Sequence, residues 1–249
     1  MLKEFRARIF ALVLMSLCGV SVLTGCGGGS SAPSNAASSG GSNAGTTSPS
    51  NLQSAPSPSL PLYVAGQTLK ALDNTGATWS ATYSSIEAGT GMFNQQASYV
   101  TSINFVASKG STIVFSEAVT EFALMNPYAP LGFSMGFTDL PGRLSVTYVT
   151  SYTPLPSKLT VGDSGQLSTG SAGSCCGFTE SYSVTADSPT ALLLNIHLAF
   201  SDFGIDHGEA SLTGLYSGAS TLTYAVNASG VATLVKIQVH INGADLTFQ

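Results

Sequence analysis

"TLVKIQVHINGADLTFQ", residues 233–249, decides the fold class. Apolar and polar residues alternate on both sides of Asn242-Gly243, the pair preferred in two-residue hairpin turns because both turn positions need positive φ. Closing the chain there sets Ile241 opposite Ala244, Val239 opposite Leu246 and Ile237 opposite Phe248 on one face. Lys236, Gln238 and His240 fall on the other face, with His240 opposite Asp245.

Working back along the chain, the same period of two recurs. "RLSVTYVTSY" places Leu144, Val146 and Tyr148 on one face, "SYSVTAD" Tyr182, Val184 and Ala186, and "TLTYAVNA" Leu222, Tyr224 and Val226. In "LLLNIHLAF" Leu192, Leu194, Ile196, Leu198 and Phe200 share a face opposed to Asn195 and His197. Runs of this kind bounded by Gly, Pro, Asn or Asp are half-buried strands. Their number predicts a mainly β fold, an antiparallel sandwich or barrel-like domain of about ten to twelve strands. "WSATYSSIEA" at 79–88 echoes "FTESYSVTAD" at 178–187, which raises two similar halves, 61–155 and 156–249, meeting near "TPLPSK".

The first residues differ in kind. Lys3, Arg6 and Arg8 precede an uncharged apolar run from Ile9 to Leu23, too short for a lasting membrane span, which needs ~20 residues. This is the pattern of a secretory signal peptide, and it ends in Leu23-Thr24-Gly25-Cys26. That stretch resembles the lipobox of bacterial lipoproteins. The resemblance implies removal of residues 1–25, a diacylglycerol thioether on Cys26 and an acyl chain on the new N-terminus. Gly27 in place of Asp after the cysteine implies passage to the outer membrane of a Gram-negative cell envelope. The globular part, with its "NASGVATLVKIQV" stretch, resembles uncharacterised all-β envelope lipoproteins, a likeness that carries no activity.

Several acyl chains at one site anchor firmly, because each buried methylene adds ~0.8 kcal/mol. From Gly27 to Leu60 the chain is rich in Ser, Gly, Pro, Ala and Asn and lacks charge and aromatic residues, so residues 26–60 form a lipidated, disordered tether and 61–249 the folded domain. Loss of the leader would remove three of eight basic and one of thirteen acidic residues. Five against twelve remain, which argues against a nucleic-acid partner. The expected partners are the lipid bilayer, through Cys26, and a small ligand or envelope component of unknown identity.

Four stretches hold candidate chemistry. Gly132-Phe133-Ser134-Met135-Gly136 matches the G-x-S-x-G pattern of serine hydrolases, making Ser134 an alternative nucleophile; Pro141 and Gly142 break the helix that must follow it there. Gly162-Asp163-Ser164-Gly165 resembles the nucleophile loop of chymotrypsin-like proteases, but His197, His207 and His240 all follow it, and a tight turn accounts for the same residues. Cys175 and Cys176 are adjacent, so a disulfide between them requires a distorted ring. Asp202, Asp206, His207 and Glu209 form the densest set of metal-ligand types, on a hairpin tip without EF-hand spacing. The reading is a non-catalytic binding or structural module that uses no cofactor and no metal, with a Ser134 hydrolase as the alternative.

Overall fold

A computed structural model describes residues 50–137, 144–172, 176–201, 219–241 and 244–249. Among them every regular element is a strand. A short strand β1 (Ser54–Pro56) is followed by β2 (Val64–Leu72), β3 (Thr78–Phe93), β4 (Gln96–Lys109), β5 (Thr112–Met125), β6 (Tyr128–Phe137) and β7 (Leu144–Tyr152). A second short strand, β8 (Lys158–Thr160), precedes β9 (Ser164–Ala172), β10 (Cys176–Ala186), β11 (Ala191–Ser201), β12 (Ala219–Asn227), β13 (Ala232–Ile241) and β14 (Ala244–Phe248). Apart from β1 and β8, which pair with each other, the strands form one antiparallel sheet in sequence order, β2 to β14.

The sheet curls into a nearly closed barrel. Its two edges meet where Lys70 and Gln249 exchange backbone hydrogen bonds, Lys70 N to Gln249 O at 3.1 Å and the reverse at 2.9 Å. Above that contact β14 has ended, and the side-chain amide of Gln67 spans the seam to the carbonyl of Leu234 at 2.8 Å. Both strands beside the seam carry register shifts, β2 between Val64 and Gln67 and β13 opposite Thr223 and Tyr224. Such irregularities increase local twist, which lets the sheet edges turn toward each other.

Eight strands enclose about the space that side chains can fill, so a twelve-stranded barrel needs bulky residues inside. Tyr83, Tyr224, Phe105, Phe133 and Phe248 are the largest of its fully buried side chains. The remaining opening at one end is closed by the β1–β8 ribbon. Ala55, Leu155 and Leu159 belong to the core, with Leu52, Leu60 and Leu62 packed against it. Backbone bonds from Leu52 N to Ser188 O (2.8 Å) and from Val161 N to Gln53 O (2.9 Å) fasten this strap. Residues 52–60, expected in the tether, are therefore part of the described fold. Two leucines and an alanine among the prolines and serines of 52–60 find apolar partners that composition alone could not reveal.

The expected register of β13 and β14 is present in full: Ile237 pairs with Phe248, Val239 with Leu246, His240 with Asp245 and Ile241 with Ala244. The inward faces of β10, β11 and β12 agree with the alternation, with Val184, Leu194, Ile196, Leu222, Tyr224 and Val226 all buried. On β7 the phase is opposite to that expected. Thr147 is 1% exposed inside, while Tyr148 lies outside against the ring of Phe93. The apolar face of β7 was misread because its apolar partner is a folded-back hairpin tip on the outer wall.

The echo segments occupy β3 and β10, each the second of six consecutive strands on either side of the connection from 153 to 163. Both sets of six share one sheet and one interior. At the barrel end away from the strap, the β2–β3 turn is organised by Asp73. Its carboxylate accepts bonds from Thr75 N (2.9 Å), Thr75 Oγ1 (2.5 Å), Ala77 N (2.9 Å), Trp79 Nε1 (2.9 Å) and Lys109 Nζ (2.6 Å). Lys109, then Thr75 and Trp79, hold that carboxyl well below the usual carboxylate range.

Candidate functional site

The interior is partly polar, because three glutamates lie in phase with apolar residues. On β5, Glu117 and Glu121 alternate with Phe115, Val119 and Ala123; on β10, Glu180 lies between Phe178 and Val184. All three are between 0% and 4% exposed. Charge at that depth is costly unless it is paired or neutralised. Tyr128 donates its hydroxyl to Glu121 Oε1 and packs edge-on against Tyr152, with ring centroids 6.0 Å apart. Burial lifts the Glu121 carboxyl to about 7, with the Tyr128 bond holding it partly down.

Tyr83 and Tyr224 hydrogen-bond to one another inside the seam, since Tyr83 pairs with Gln67 of β2 and Tyr224 with Leu234 of β13. Burial first, and charge nearby, push both phenols up, so they stay neutral donors at any physiological pH. Ser168 Oγ approaches Glu180 Oε2 at 3.5 Å. The set offers hydroxyl donors and a carboxyl near its titration point, chemistry suited to holding a polar group or a proton. Among the described residues no three His, Cys, Asp or Glu side chains are grouped as a metal site.

Ser134 lies on the outer wall, mid-strand, opposite Thr120 on β5 and Val146 on β7. A hydrolase nucleophile needs a sharp strand-to-helix elbow, whereas β6 continues on both sides of Ser134. His197 is on β11, four strands away, or roughly 19 Å at ~4.8 Å per strand. His240 is six strands away and hydrogen-bonds Asp245 at 2.8 Å. The first glycine of the match has a packing role: a Cβ on Gly132 would overlap the Phe93 ring and the Thr147 carbonyl. Phe93 stacks on Phe122 at 4.9 Å and leans on Tyr148 at 5.3 Å, so the β3–β4 tip is clamped to the outer wall over Gly132.

Asp163 and Ser164 occupy the expected turn. Asp163 N bonds Thr160 O at 2.9 Å, its carboxylate accepts from Thr160 N at 2.7 Å, and Gly162 has φ of 97°. Cys176 opens β10, opposite Ala172, while Cys175 lies outside the described residues. Asp202, Asp206, His207 and Glu209 also lie outside them.

One arrangement escaped the sequence reading. Ser183, His197 and Thr221 sit side by side on the outer face of β10, β11 and β12, with Ser183 Oγ 3.0 Å from His197 Nε2 and Thr221 Oγ1 3.0 Å from Nδ1. Partial burial lowers the imidazole's affinity for a proton, favouring the neutral ring. The row resembles a nucleophile, base and orienting group in spacing. The surrounding backbone is committed to strand ladders, however, which leaves no pair of free N–H groups to stabilise an oxyanion. The row therefore acts as a cross-strand polar zipper. The glutamates could have been found from sequence, because each falls in phase with the apolar face of its strand.

No family model, curated protein or solved structure matches this chain.

Proposed function

We propose that this protein is a lipid-anchored lipoprotein of the cell envelope whose barrel is a non-catalytic binding or structural module held at the outer membrane. The observation that carries the reading is Leu23-Thr24-Gly25-Cys26 at the end of a basic and apolar leader, followed by an uncharged Ser/Gly/Pro-rich stretch. Supporting it, the described chain enters the barrel at a single end, where Leu52 and Gln53 bond the 188 and 161 backbones, so a tether can hold the domain without crossing its interior. The hydrolase alternative through Ser134 draws no support from the geometry, since the serine is mid-strand and the described histidines are strands away.

The test is fractionation with metabolic labelling. Wild-type protein should enter the membrane fraction and incorporate labelled palmitate, and Cys26→Ala should do neither. A Cys26→Ala protein that still takes up palmitate and stays in membranes would contradict the reading.

A further inference from the structure

The strap end of the barrel is also where large apolar side chains are exposed. Eight such residues stand out on the described surface, and five of them, Tyr63, Met92, Tyr99, Tyr148 and Val231, lie within four residues of a turn or strand end on the strap side. Met92 is 64% exposed, Val231 60%, and the three tyrosines between 43% and 46%. Two of them sit beside packed positions. Met92 precedes Phe93, whose ring is fixed over Gly132 between Phe122 and Tyr148, and Val231 belongs to the turn whose Gly230 lies against Pro56 of the strap.

Exposed tyrosines and a methionine at one rim suit the headgroup–acyl boundary of a bilayer, where a ring buries its apolar body and keeps its hydroxyl wet. The path of the chain says which surface they meet. Only 24 peptide units separate Cys26 from Ser50 at the strap end, a span of at most ~80 Å and about 27 Å as an r.m.s. coil. That mean span is about the height of a barrel whose strands, apart from the five-residue β14, run nine to sixteen residues, at ~3.3 Å per residue and tilted ~40°. On the anchoring reading, the strap end is therefore the end of the barrel that lies nearest the bilayer along the chain. The exposed charged groups toward the strap end, Glu87, Lys158 and Asp187, are two acids to one base, so anionic headgroups would not attract this rim.

We propose that the strap end is a second, non-covalent membrane contact, in which Met92, Tyr99, Tyr148 and Val231 seat at the interface of a zwitterionic phospholipid surface. The contact rests on the anchoring reading, because without acyl chains the few exposed side chains would have no bilayer held within reach. It orients the molecule: the β3–β4 tip and the strap face lipid, while the β2–β3 and β4–β5 turns face outward.

The experiment uses the full lipidated protein in phosphatidylcholine vesicles that contain a photoactivatable phospholipid, followed by peptide mapping after illumination. Leu72 and Ile113 are the internal controls, being 67% and 65% exposed at the opposite end. Lipid adducts should concentrate several-fold on the peptides holding Met92, Tyr99, Tyr148 and Val231 over those holding Leu72 and Ile113. Equal labelling of both ends, or adducts confined to the acylated N-terminal peptide, would overturn the proposal. The same digest reports the mass of the Cys26 peptide. An acylated Cys26 with unlabelled tips refutes the second contact alone, whereas an unmodified Cys26 refutes the anchoring reading beneath it.

Discussion

Replacing Gly132 with alanine separates a packing role for the G-x-S-x-G match from a catalytic one. Gly132 has ordinary strand geometry, so alanine there should gain ~0.5–1 kcal/mol from reduced backbone entropy if space allowed. Space does not allow it: the added methyl meets the Phe93 ring and the Thr147 carbonyl, and only the ring can move. Overpacking of this kind costs ~1–3 kcal/mol, leaving a net loss of about 1–2 kcal/mol. With a urea m-value of ~2 kcal/mol/M, the unfolding midpoint should fall by roughly 0.5–1 M. In a Phe93→Ala background the ring is gone, and the same substitution should cost less by ~1 kcal/mol, a coupling that a double-mutant cycle measures directly. Ser134→Ala, on the outer wall, should stay within ~0.5 kcal/mol of wild type. A Gly132→Ala protein as stable as wild type, or an additive cycle with Phe93→Ala, would refute the clamp. A fluorophosphonate probe that labels wild type but not Ser134→Ala would refute the packing account of the motif.

Glu121 binds its proton more tightly folded than unfolded, its carboxyl lying near 7 against an ordinary 4.5. Stability should therefore fall as pH rises from about 4.5 to about 7, by on the order of 3 kcal/mol, and Glu121→Gln should flatten that slope in urea titrations across the window. Asp73 works with the opposite sign: its carboxyl is depressed by Lys109, Thr75 and Trp79, so its contribution is full above pH ~4 and is lost as acid protonates it. Asp73→Asn should lower the thermal midpoint at pH 7 and reduce the loss seen on acidification; an unchanged midpoint would count against the turn network. Gln67→Ala removes the bond to Leu234 O and should speed amide exchange in β2 and the first half of β13. Unaltered protection there would show that the seam does not depend on that bridge.

The last hairpin was legible because everything that fixes its register is local: an Asn242-Gly243 pair, which lies outside the described residues, and five alternating positions on each side. Closure of the sheet was not, since Lys70 and Gln249 are brought together by the accumulated twist of twelve strands and no short pattern encodes it. The strap was hidden for a related reason. Leu52, Ala55 and Leu60 are too sparse among Ser and Pro to form a period; Ala55 becomes core opposite Leu159, a hundred residues later, and Leu52 and Leu60 pack against that core. On β7 the alternation was visible but its sign was not, because Phe93 supplies an apolar neighbour on the outer wall, where sequence offers only solvent. The interior glutamates were readable in principle, each lying in phase with Phe and Val, but a carboxylate on an apolar face reads as noise until burial is seen.

The most direct test of the account is the mass of the N-terminal peptide of the mature protein taken from membranes. The account predicts a chain that begins at Cys26, carrying a diacylglyceryl group on the sulfur and a further acyl chain on the amine. A mature chain that retains residues before Cys26, or begins at Cys26 with an unmodified thiol, would contradict it.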